Sequence, residues 1–387
     1  MIIWDLAVVG GGPAGLSAAH AAARAGLRTL VVERAEHPRY KTCGGGLIGT
    51  SLAALDGRID VPAHDRVDRA TFTRDGRREF TRRSAGGPLV TMVRRDEFDD
   101  RLRAAAISAG AELRQRVAVR ALEQDPDEVR LRLADGDTVR ARAVIGADGS
   151  SGVTARHVGV RYAQVDLGLE VELPVPEAQQ RRWRGRLLLD WGTIPGSYAW
   201  VFPKGDSLTV GVIAGRGAGE RTREYLRDFV DRLGLAGVTP QHDSGHLTRC
   251  RADDSPLRHG RVLVAGDAAG LLEPWSREGI SYALRSGALA GAAVAAGDLD
   301  GYPRGVDRDL VPSMRAGHRL LEVFSRRPDV FHALLATPAG WGMFVRFCQG
   351  RASFEQTLDR APVRAALALL DRLPPARQLR PAPSAPR

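Results

Sequence analysis

The chain opens with Asp5-Leu-Ala-Val-Val-Gly-Gly-Gly-Pro-Ala-Gly15, an apolar run that leads directly into a glycine-rich turn. Residues 16–25 have helical composition, and Thr29-Leu-Val-Val32 is a second apolar run, which ends in Glu33. This order of a buried strand, a tight turn, a helix and a second strand is typical of a parallel sheet. The sequence therefore predicts the first β-α-β unit of an α/β domain.

The glycine-rich turn has the spacing of a dinucleotide-binding site. Gly10 permits the tight turn, Gly12 lets the backbone approach a pyrophosphate, and Gly15 allows close packing of helix on strand. The helix begins at Pro13-Ala14, where free N–H groups can bind phosphate oxygens. Glu33 is placed to accept hydrogen bonds from the ribose hydroxyls of adenosine. Together these features predict a bound adenine dinucleotide.

Composition indicates a two-domain enzyme of the cytoplasm. The 387 residues are 43% hydrophobic, no apolar run approaches the roughly 20 residues that span a bilayer, and the first strand begins too early for a signal peptide. Three cysteines at unrelated spacings predict neither disulfides nor a metal site. The net charge of +10 comes from arginines interleaved with acidic residues, which argues against nucleic acid but is compatible with peripheral contact with an anionic membrane.

Two later segments repeat the arrangement of a strand followed by a turn. Ala147-Asp148-Gly149 follows one apolar run, and Gly266-Asp267 follows another. An aspartate at such a strand end can accept a hydrogen bond from the ribityl chain of a flavin, a group that nicotinamide dinucleotides lack. The alternative for each segment is a structural aspartate that caps a helix.

Taken in order, these three motifs resemble the FAD-binding fold of the para-hydroxybenzoate hydroxylase type. The resemblance implies FAD in place of NAD. It also places Arg95 near the flavin, with the adjacent Arg94 as the alternative for this role. Val119 is placed on a strand whose backbone contacts the adenine. The cofactor-binding residues that it implies are Gly10, Gly12, Pro13, Ala14, Gly15, Glu33, Arg34, Cys43, Gly44, Gly45, Arg95, Val119, Asp148, Gly149, Gly266, Asp267, Pro274, Gly279 and Ile280.

Three further segments resemble one branch of this fold, the geranylgeranyl reductase family. The second strand is followed by Lys41-Thr-Cys-Gly-Gly-Gly-Leu47, and the YxWxFPKG signature of the family is matched by Tyr198-Ala-Trp-Val-Phe-Pro-Lys-Gly205. The segment after Gly-Asp is similar to Glu273-Pro-Trp-Ser-Arg-Glu-Gly-Ile280. In that family a reduced flavin saturates isolated double bonds of prenyl chains on chlorophyll precursors, archaeal lipids or quinones. The resemblance implies an FAD-dependent reductase with a hydrophobic, isoprenoid-type substrate.

The aromatic residues of the signature alternate along a predicted strand. Tyr198, Trp200 and Phe202 would share one face and form a broad apolar wall. Alternation alone favours packing in the core, whereas the full signature with Pro203-Lys204 favours the wall of a substrate tunnel. Tyr198 can also present its hydroxyl to the reacting centre, because a buried tyrosine normally finds a hydrogen-bond partner.

An isolated alkene has no carbonyl to stabilise a carbanion, so protonation followed by hydride capture from flavin N5 is the favoured order. The cation that forms needs a water-free pocket with π faces, which Trp200, Phe202 and Trp275 can supply. Cys43 is the candidate acid and Tyr198 is the rival donor. The alternative is that Cys43 is not a catalytic acid but a small buried side chain that only fills space.

Lysine occurs only twice in the chain, as Lys41 and Lys204. Every other strong base is arginine, which does not replace an ammonium group where a compact charge is needed. We assign Lys41 to the substrate, as an anchor for a headgroup phosphate or as a group that lowers a neighbouring pKa. We assign Lys204 a role in closing the end of its strand. The alternative for both residues is that a lysine stands there by chance.

Two other functions stay open. Monooxygenases of this fold usually carry an asparagine-ending segment where this chain has Glu278-Gly-Ile280, and halogenases carry a WxWxIP motif that Tyr198-Ala-Trp-Val-Phe-Pro203 only half meets. Both comparisons favour a reductase over an oxygenase. An electron-transfer flavoprotein acting on a quinone or a redox partner would carry the same flavin motifs. The predicted reductant is NAD(P)H or a ferredoxin, bound transiently because FAD takes the one complete dinucleotide motif.

The order of the motifs predicts the fold class. It is α/β, with a Rossmann-like FAD-binding domain, an antiparallel-sheet substrate domain and a helical C-terminal region. Residues 1–75, 95–160 and 250–300 are predicted to form the discontinuous FAD-binding domain, and residues 76–94 and 161–249 the substrate domain. Residues 301–373 are predicted to be helical and to include an amphipathic segment, 363–373, that packs on the core or touches lipid. Residues 374–387 are predicted to be a disordered tail.

Overall fold

The computed structural model describes residues 2–361, 363 and 370. In this part of the chain the strands are β1 (Ile3–Val9), β2 (Thr29–Val32), β3 (Gly46–Leu47), β4 (Ala63–Val67), β5 (Arg69–Arg74), β6 (Arg77–Arg83), β7 (Val90–Val93), β8 (Glu112–Arg114), β9 (Val119–Gln124), β10 (Val129–Leu133), β11 (Thr138–Gly146), β12 (Tyr162–Pro174), β13 (Arg186–Trp191), β14 (Tyr198–Lys204), β15 (Ser207–Gly215), β16 (His242–Arg251), β17 (Arg258–His259) and β18 (Val262–Val264). The helices are α1 (Pro13–Arg24), α2 (Gly49–Leu55), α3 (Arg95–Ser108), α4 (Val153–Val158), α5 (Glu177–Trp183), α6 (Gly219–Arg232), α7 (Ile280–Ala295), α8 (Gly301–Asp309), α9 (Val311–Arg326), α10 (Pro328–Ala336), α11 (Pro338–Cys348) and α12 (Phe354–Leu358), and a short 3₁₀ helix spans Gly266–Ala269.

The largest sheet has eight strands and a parallel centre. Strands β8, β2, β1, β11 and β18 lie side by side in that order and run parallel. The β9–β10 hairpin joins β11, and β17 joins β18, in antiparallel fashion. Near-continuous apolar runs explain the parallel centre, because β2 and β18 are buried along their whole length and β1 is buried from Leu6 onward.

Helices α1 and α7 pack closely because small residues line their contact. A Cβ at Gly287 would lie 2.1 Å from the carbonyl oxygen of Ala14, and one at Gly291 would lie 2.3 Å from that of Ala18. Helix α1 follows β1 directly, with Gly12 as its N-cap residue. The N-terminal residues of both helices line the same cavity, so the fold brings two helix N-termini to one site.

The second sheet has seven strands in the order β16-β12-β15-β14-β13-β5-β6. Its pairs are antiparallel, except that β13 and β5 run parallel. Helix α6 covers one face through a core that includes Ala199, Val201 and Phe229, and the opposite face borders the cavity. The predicted fold class is therefore confirmed. The β5–β6 hairpin lies wholly in this sheet, whereas the sequence analysis divided it at residue 75.

A third sheet of β3, β7 and β4 packs against β14, and the elements described after β18 are all helices. The predicted C-terminal helical region is present as α8 to α12. The predicted amphipathic segment 363–373 lies outside the described residues except at positions 363 and 370, and so does the predicted tail 374–387. Within the described ranges, no helix combines the length and the apolar character needed to span a bilayer. The domain limits stay predictions.

Candidate active site

A cavity of about 940 Å³ extends from the turn after β1 to the aromatic face of β14. We call the part around Gly10, Gly12, Glu33 and Arg39 the nucleotide end. The aromatic end is the part lined by Trp191, Tyr198, Trp200, Phe202, Trp275, Leu335, Phe344 and Phe347. The loop of residues 41–46 lies between the two ends, because its Cys43 contacts Arg95 and its Gly44 contacts Phe202.

The turn after β1 has no room for a side chain at Gly10 or Gly15. Gly10 has a φ of +106°, and a Cβ there would lie 2.3 Å from the carbonyl oxygen of Ala147. A Cβ at Gly15 would lie 1.9 Å from the carbonyl oxygen of Gly10, so Gly15 packs α1 onto β1 and does not line the cavity. At Gly12 the atom nearest to a Cβ is Arg39 Nη2, at 3.7 Å. The space above Gly12, between a helix N-terminus and a guanidinium, fits a pyrophosphate.

Glu33 and Arg39 complete the nucleotide end. The buried carboxylate of Glu33 accepts hydrogen bonds from the backbone N–H groups of Gly11 and Ala35, which hold it at the end of β2. Arg39 Nη1 lies 3.2 Å from Asp99, yet it is buried without a hydrogen-bond partner among the described residues. The nitrogen beside Gly12 is Nη2, which donates to Gly11 O at 3.3 Å. The buried guanidinium thus places a positive charge next to Gly12, which suits a phosphate oxygen. The sequence analysis did not identify Arg39, and no motif marks it in an arginine-rich chain.

Arg95 lines the cavity, whereas Arg94, the alternative for its role, does not. Both Nε and Nη2 of Arg95 lie 2.8 Å from the carboxylate oxygens of Asp99, one turn along α3. Arg94 instead binds Asp206 and Ser207 at the start of β15. Burial opposes the charged form of Arg95, but the contacts with Asp99 outweigh it and raise the pKa of the guanidinium. Arg95 therefore places a fixed positive charge beside the central loop.

The two aspartates that follow strands have different surroundings. Asp267 lies 3.4 Å from His246 Nε2, and although burial alone would raise its pKa, His246, Lys41 and Arg95 together lower it. Asp148 is engaged by the hydroxyl and the backbone N–H of Thr154 on α4, and burial raises its pKa. Asp148 therefore has the structural, helix-capping role that was the alternative for it, whereas Asp267 is an ionised group that lines the cavity.

The central loop is tied to the second sheet. Glu170 on β12 accepts a hydrogen bond of 2.6 Å from the backbone N–H of Cys43, and Lys204 Nζ donates to Cys43 O at 3.4 Å. Gly44 and Gly45 were predicted to bind the cofactor, and both line the cavity. Their tight contacts are with protein, since a Cβ at Gly44 would lie 2.9 Å from the Phe202 ring and one at Gly45 would lie 2.2 Å from a carbonyl oxygen of β7.

The aromatic residues of β14 line the cavity. Ring centroids of Tyr198 and Trp200 are 6.0 Å apart, and those of Trp200 and Phe202 are 6.1 Å apart. The intervening Ala199 and Val201 face α6, so alternation separates the cavity wall from the core of the second sheet. The Tyr198 hydroxyl donates to the carbonyl oxygen of Ser276, and burial raises its pKa.

Half of the residues that define the aromatic end were not predicted from the sequence, namely Trp191, Leu335, Phe344 and Phe347. Leu187, Leu189 and Trp191 alternate along β13 and line the cavity, a pattern that the sequence does contain. Leu335 on α10 and Phe344 and Phe347 on α11 also line it. No local signal predicts these three, because their approach depends on how the C-terminal helices fold back over the second sheet.

A buried ion pair supports the segment that carries Trp275. The Arg277 guanidinium lies 3.1 Å from Asp166, with both side chains only 4% exposed. Arg277 also donates to the carbonyl oxygens of Trp275 and Gly196 and lies over the Tyr198 ring at 5.7 Å. This network fixes Trp275 and the start of β14 relative to each other. Neither charged residue was identified from the sequence.

Most of the predicted site residues meet at this cavity. Its lining includes Gly10, Gly12, Pro13, Ala14, Glu33, Arg34, Lys41, Cys43, Gly44, Gly45, Arg95, Val119, Asp148, Gly149, Tyr198, Trp200, Phe202, Asp267, Trp275, Gly279 and Ile280. Gly15, Gly266 and Pro274 lie outside the lining. Gly266 packs against Ala14, and Pro274 packs against Gly317 on α9, so these two predicted residues contact protein.

Comparison with known proteins identifies the family. A family profile described as an FAD binding domain matches residues 4–176. A geranylgeranyl diphosphate reductase from Rhodobacter capsulatus is 32% identical over 351 residues, which cover 85% of this chain and 84% of that relative. The chain belongs to the geranylgeranyl reductase family. This family member is an FAD-dependent oxidoreductase, and the groups around Gly12, Glu33 and Arg39 fit the nucleotide part of FAD.

Solved structures agree with the fold of this geranylgeranyl reductase family member. A geranylgeranyl bacteriochlorophyll reductase-like protein from Thermoplasma acidophilum has a TM-score of 0.76 at 21% identity, and the match covers 95% of this chain and 99% of that chain. A flavin-dependent brominase has a TM-score of 0.75 at 18% identity, with 96% and 100% covered. At these identities both comparisons show the fold alone.

Proposed function

We propose that this family member saturates carbon–carbon double bonds in the prenyl chain of a lipid, a quinone or a related isoprenoid compound. The observation that carries the proposal is the continuity of the cavity, in which the aromatic wall of β14 lies next to the central loop and the FAD-binding turn. The geranylgeranyl diphosphate reductase relative supports this substrate class. A flexible hydrocarbon needs an apolar wall of this kind to leave water.

The protein has to protonate an unactivated alkene and shield the resulting cation from water. Bound FAD, once reduced, supplies the hydride. We assign the shielding to Trp200, Phe202 and Trp275, whose π faces stabilise a nearby cation. Phe344 and Phe347 on α11 line the same end and help to exclude water from it.

We assign the proton transfer to Cys43. Its side chain lines the cavity beside Arg95, at the junction of the two ends. Tyr198, the rival donor, directs its hydroxyl proton to the carbonyl oxygen of Ser276, which leaves only its lone pairs for the cavity. The position of Cys43 supports a role as the acid more strongly than the position of Tyr198 does.

Lys41 is our candidate for binding an anionic group of the substrate. It lines the cavity, and its ammonium donates to the carbonyl oxygen of Thr42 at 3.3 Å. Burial, together with the nearby Arg95, lowers the pKa of Lys41. A phosphate at this position would favour the charged form that burial opposes.

The electrons are proposed to come from NAD(P)H or a ferredoxin that binds transiently. The chain has one complete glycine-rich dinucleotide motif, and FAD occupies it in this scheme. We propose that the reaction takes place in the cytoplasm or at the surface of a membrane, where a prenyl lipid is available.

Mass spectrometry of an anaerobic reaction tests the proposal. The FAD-loaded protein is reduced with dithionite and mixed with geranylgeranyl diphosphate, a geranylgeranylated lipid or menaquinone. A gain of two hydrogens for each saturated bond is the expected result with at least one substrate. Incorporation of oxygen in stoichiometric amounts under air would instead indicate a monooxygenase. Oxidation of the reduced protein by menaquinone with an unchanged prenyl chain would indicate an electron-transfer flavoprotein.

A further inference from the structure

The hairpin of α10 and α11 forms one wall of the aromatic end of the cavity. Leu335 on α10 and Phe344 on α11 line the cavity. The residues directly before them face outward, since Leu334 is 52% exposed and Met343 is 37% exposed. Each helix therefore presents apolar side chains on both of its sides. The outer side of a helix in contact with water normally carries polar residues, so the outward apolar side chains need a separate explanation.

Large apolar side chains are seldom exposed elsewhere in the part of the chain that the structure describes. Only Ile2, Tyr40 and Ile107 share this degree of exposure there, and they lie far apart in the sequence. The inner side of the hairpin is packed against the second sheet, with the rings of Phe344 and Phe72 nearly perpendicular at a centroid distance of 5.2 Å. The apolar outer side therefore belongs to an ordered element of the fold.

A basic edge strand borders the hairpin. The exposed arginines of β6 are Arg77, Arg78, Arg82 and Arg83. Arg82 donates to the carbonyl oxygen of Ala336 at the end of α10, so β6 and the hairpin are in direct contact. Arg346 adds an exposed positive charge on α11. Asp329 on α10 pairs with Arg74 and Arg78, Asp68 pairs with Arg83, and the exposed Glu79 of β6 lies 3.4 Å from Arg186. Among the described residues, Arg77, Arg82 and Arg346 have no acidic partner, so the surface keeps a net positive charge.

We propose that the outer side of α10–α11, with the arginines of β6, docks the protein onto an anionic lipid bilayer. Leu334 and Met343 enter the acyl boundary while the arginines contact the headgroups. Trp341, whose ring stacks on Phe344 at 5.6 Å, is of a residue type enriched at membrane interfaces. The proposal rests on the proposed function, because a prenyl substrate dissolved in a bilayer has to reach the aromatic end, which lies directly behind this surface.

Co-sedimentation with vesicles tests the apolar contribution. The FAD-loaded protein is mixed with vesicles of phosphatidylcholine and phosphatidylglycerol, or of phosphatidylcholine alone. Leu334→Ser/Met343→Ser is expected to bind the anionic vesicles about tenfold more weakly than the parent protein. Ile107→Ser, a matched change of an exposed side chain on α3, is expected to bind like the parent. Flavin content verifies that each variant is folded.

A second pair of variants tests the charge. Arg77→Gln/Arg346→Gln is expected to weaken binding to the anionic vesicles by about tenfold or more. The control, Arg221→Gln/Arg223→Gln, removes two exposed charges from α6 and is expected to leave binding unchanged. Added salt is expected to weaken the binding of the parent protein, since exposed charges are screened.

Several outcomes would overturn the proposal. One is equal vesicle binding by the parent protein and Leu334→Ser/Met343→Ser, and another is a parent protein that does not prefer anionic vesicles. If the surface instead binds a second copy of the chain, the parent protein forms a dimer in solution that this double variant dissociates, and vesicles recruit neither form.

Turnover distinguishes this proposal from the proposed function. A prenyl substrate dispersed in detergent is expected to be reduced at the same rate by the parent protein and by Leu334→Ser/Met343→Ser. The same substrate embedded in anionic vesicles is expected to be reduced about tenfold more slowly by the variant. If neither protein reduces either preparation, the proposed function fails while the vesicle-binding result stands on its own; equal rates on the embedded substrate would contradict delivery through this surface.

Discussion

The nucleotide end of the cavity is built around the backbone turn of one β-α-β unit, which Glu33 and Arg39 complete, whereas the aromatic end is made of side chains from distant segments. At the nucleotide end, glycines are required because a Cβ would collide with the chain itself, as at Gly10 and Gly15. At the aromatic end, residues of β13, β14, α10 and α11 meet around Trp275. The geometry of the nucleotide end therefore depends mainly on the spacing of residues along the chain, and that of the aromatic end depends on tertiary packing.

This difference determines how each end should respond to substitution. Backbone that is in contact with backbone cannot move aside, so changes in the turn after β1 should abolish cofactor binding. Side chains can change rotamer, so changes at the aromatic end should alter rates in a graded way and leave FAD bound. The following substitutions test this comparison.

Gly10→Ala is expected to have the largest effect, which is loss of FAD. The new Cβ would lie 2.3 Å from the carbonyl oxygen of Ala147, and overpacking is expected to cost about 3 kcal/mol or more. Gly26→Ala is the matched control, because Gly26 also has a positive φ but no atom within 4 Å of its Cβ position. Flavin absorbance per protein is the measurement. Full flavin content in purified Gly10→Ala would contradict the assignment of the turn.

Cys43→Ala is expected to reduce turnover on a prenyl substrate about 100-fold, the lower range for loss of a general acid. FAD content should not change, because the Cys43 loop is held by contacts of its backbone with Glu170 and Lys204. Cys348→Ala, which removes a buried thiol from α11, is the control and should keep most of its turnover. Equal rates for the parent protein and Cys43→Ala would show that Cys43 is not the proton donor.

Gly44→Ala is expected to slow turnover about tenfold through misplacement of Phe202. The new Cβ would lie 2.9 Å from the Phe202 ring, which would have to move into the cavity. Phe202→Leu in the same chain should recover part of the loss, because the smaller side chain relieves the contact. The rates of both single variants and the double variant measure this coupling. Additive effects would show that the two residues act independently.

Glu278→Gln is expected to change only the pH dependence of stability. Burial raises the pKa of the Glu278 carboxyl, which bonds to Ser281 and Ser51. A pKa raised in the folded state adds stability below the usual glutamate value of 4.5, and this stability is lost as the pH rises through the folded pKa. The melting temperature of the parent should therefore fall more than that of the variant between pH 4.5 and neutrality.

An exposed carboxyl supplies the control for this measurement. Glu220→Gln on α6 removes a carboxylate that faces solvent, so its melting curve should follow the parent at each pH. Identical pH profiles for the parent and Glu278→Gln would show that burial of Glu278 has no net effect on stability.

Features of the cavity could be predicted from the sequence where the geometry is determined by residues that are neighbours in the chain. The turn after β1, Glu33 at the end of β2 and Asp267 after β18 each follow from a few consecutive residues, and all three reach the cavity. Tyr198, Trp200 and Phe202 were predicted to share a face because alternation along a strand fixes it, and they do. The predicted fold class rests on the same local patterns.

Other features depend on contacts that no local pattern encodes. Arg39 is one of many arginines, and its place beside Gly12 depends on the path of the chain after β2. Phe344 lines the cavity only because α11 packs against β5 of the second sheet, through Phe72. Gly44 was predicted to bind the cofactor, and its tight contact with Phe202, a residue distant in the sequence, was not predicted.

The two lysines have a practical consequence for experiments on this protein. Lys204 is buried with its ammonium 3.1 Å from Glu172, and Lys41 lines the cavity. Neither amine belongs to the open surface, so a reagent that acylates lysine would find no freely exposed lysine side chain, and the reaction of Lys41 could be followed by peptide mapping without interference from other lysines on the surface. Protection of Lys41 against such a reagent would therefore report how fully the cavity is filled, without any engineered label.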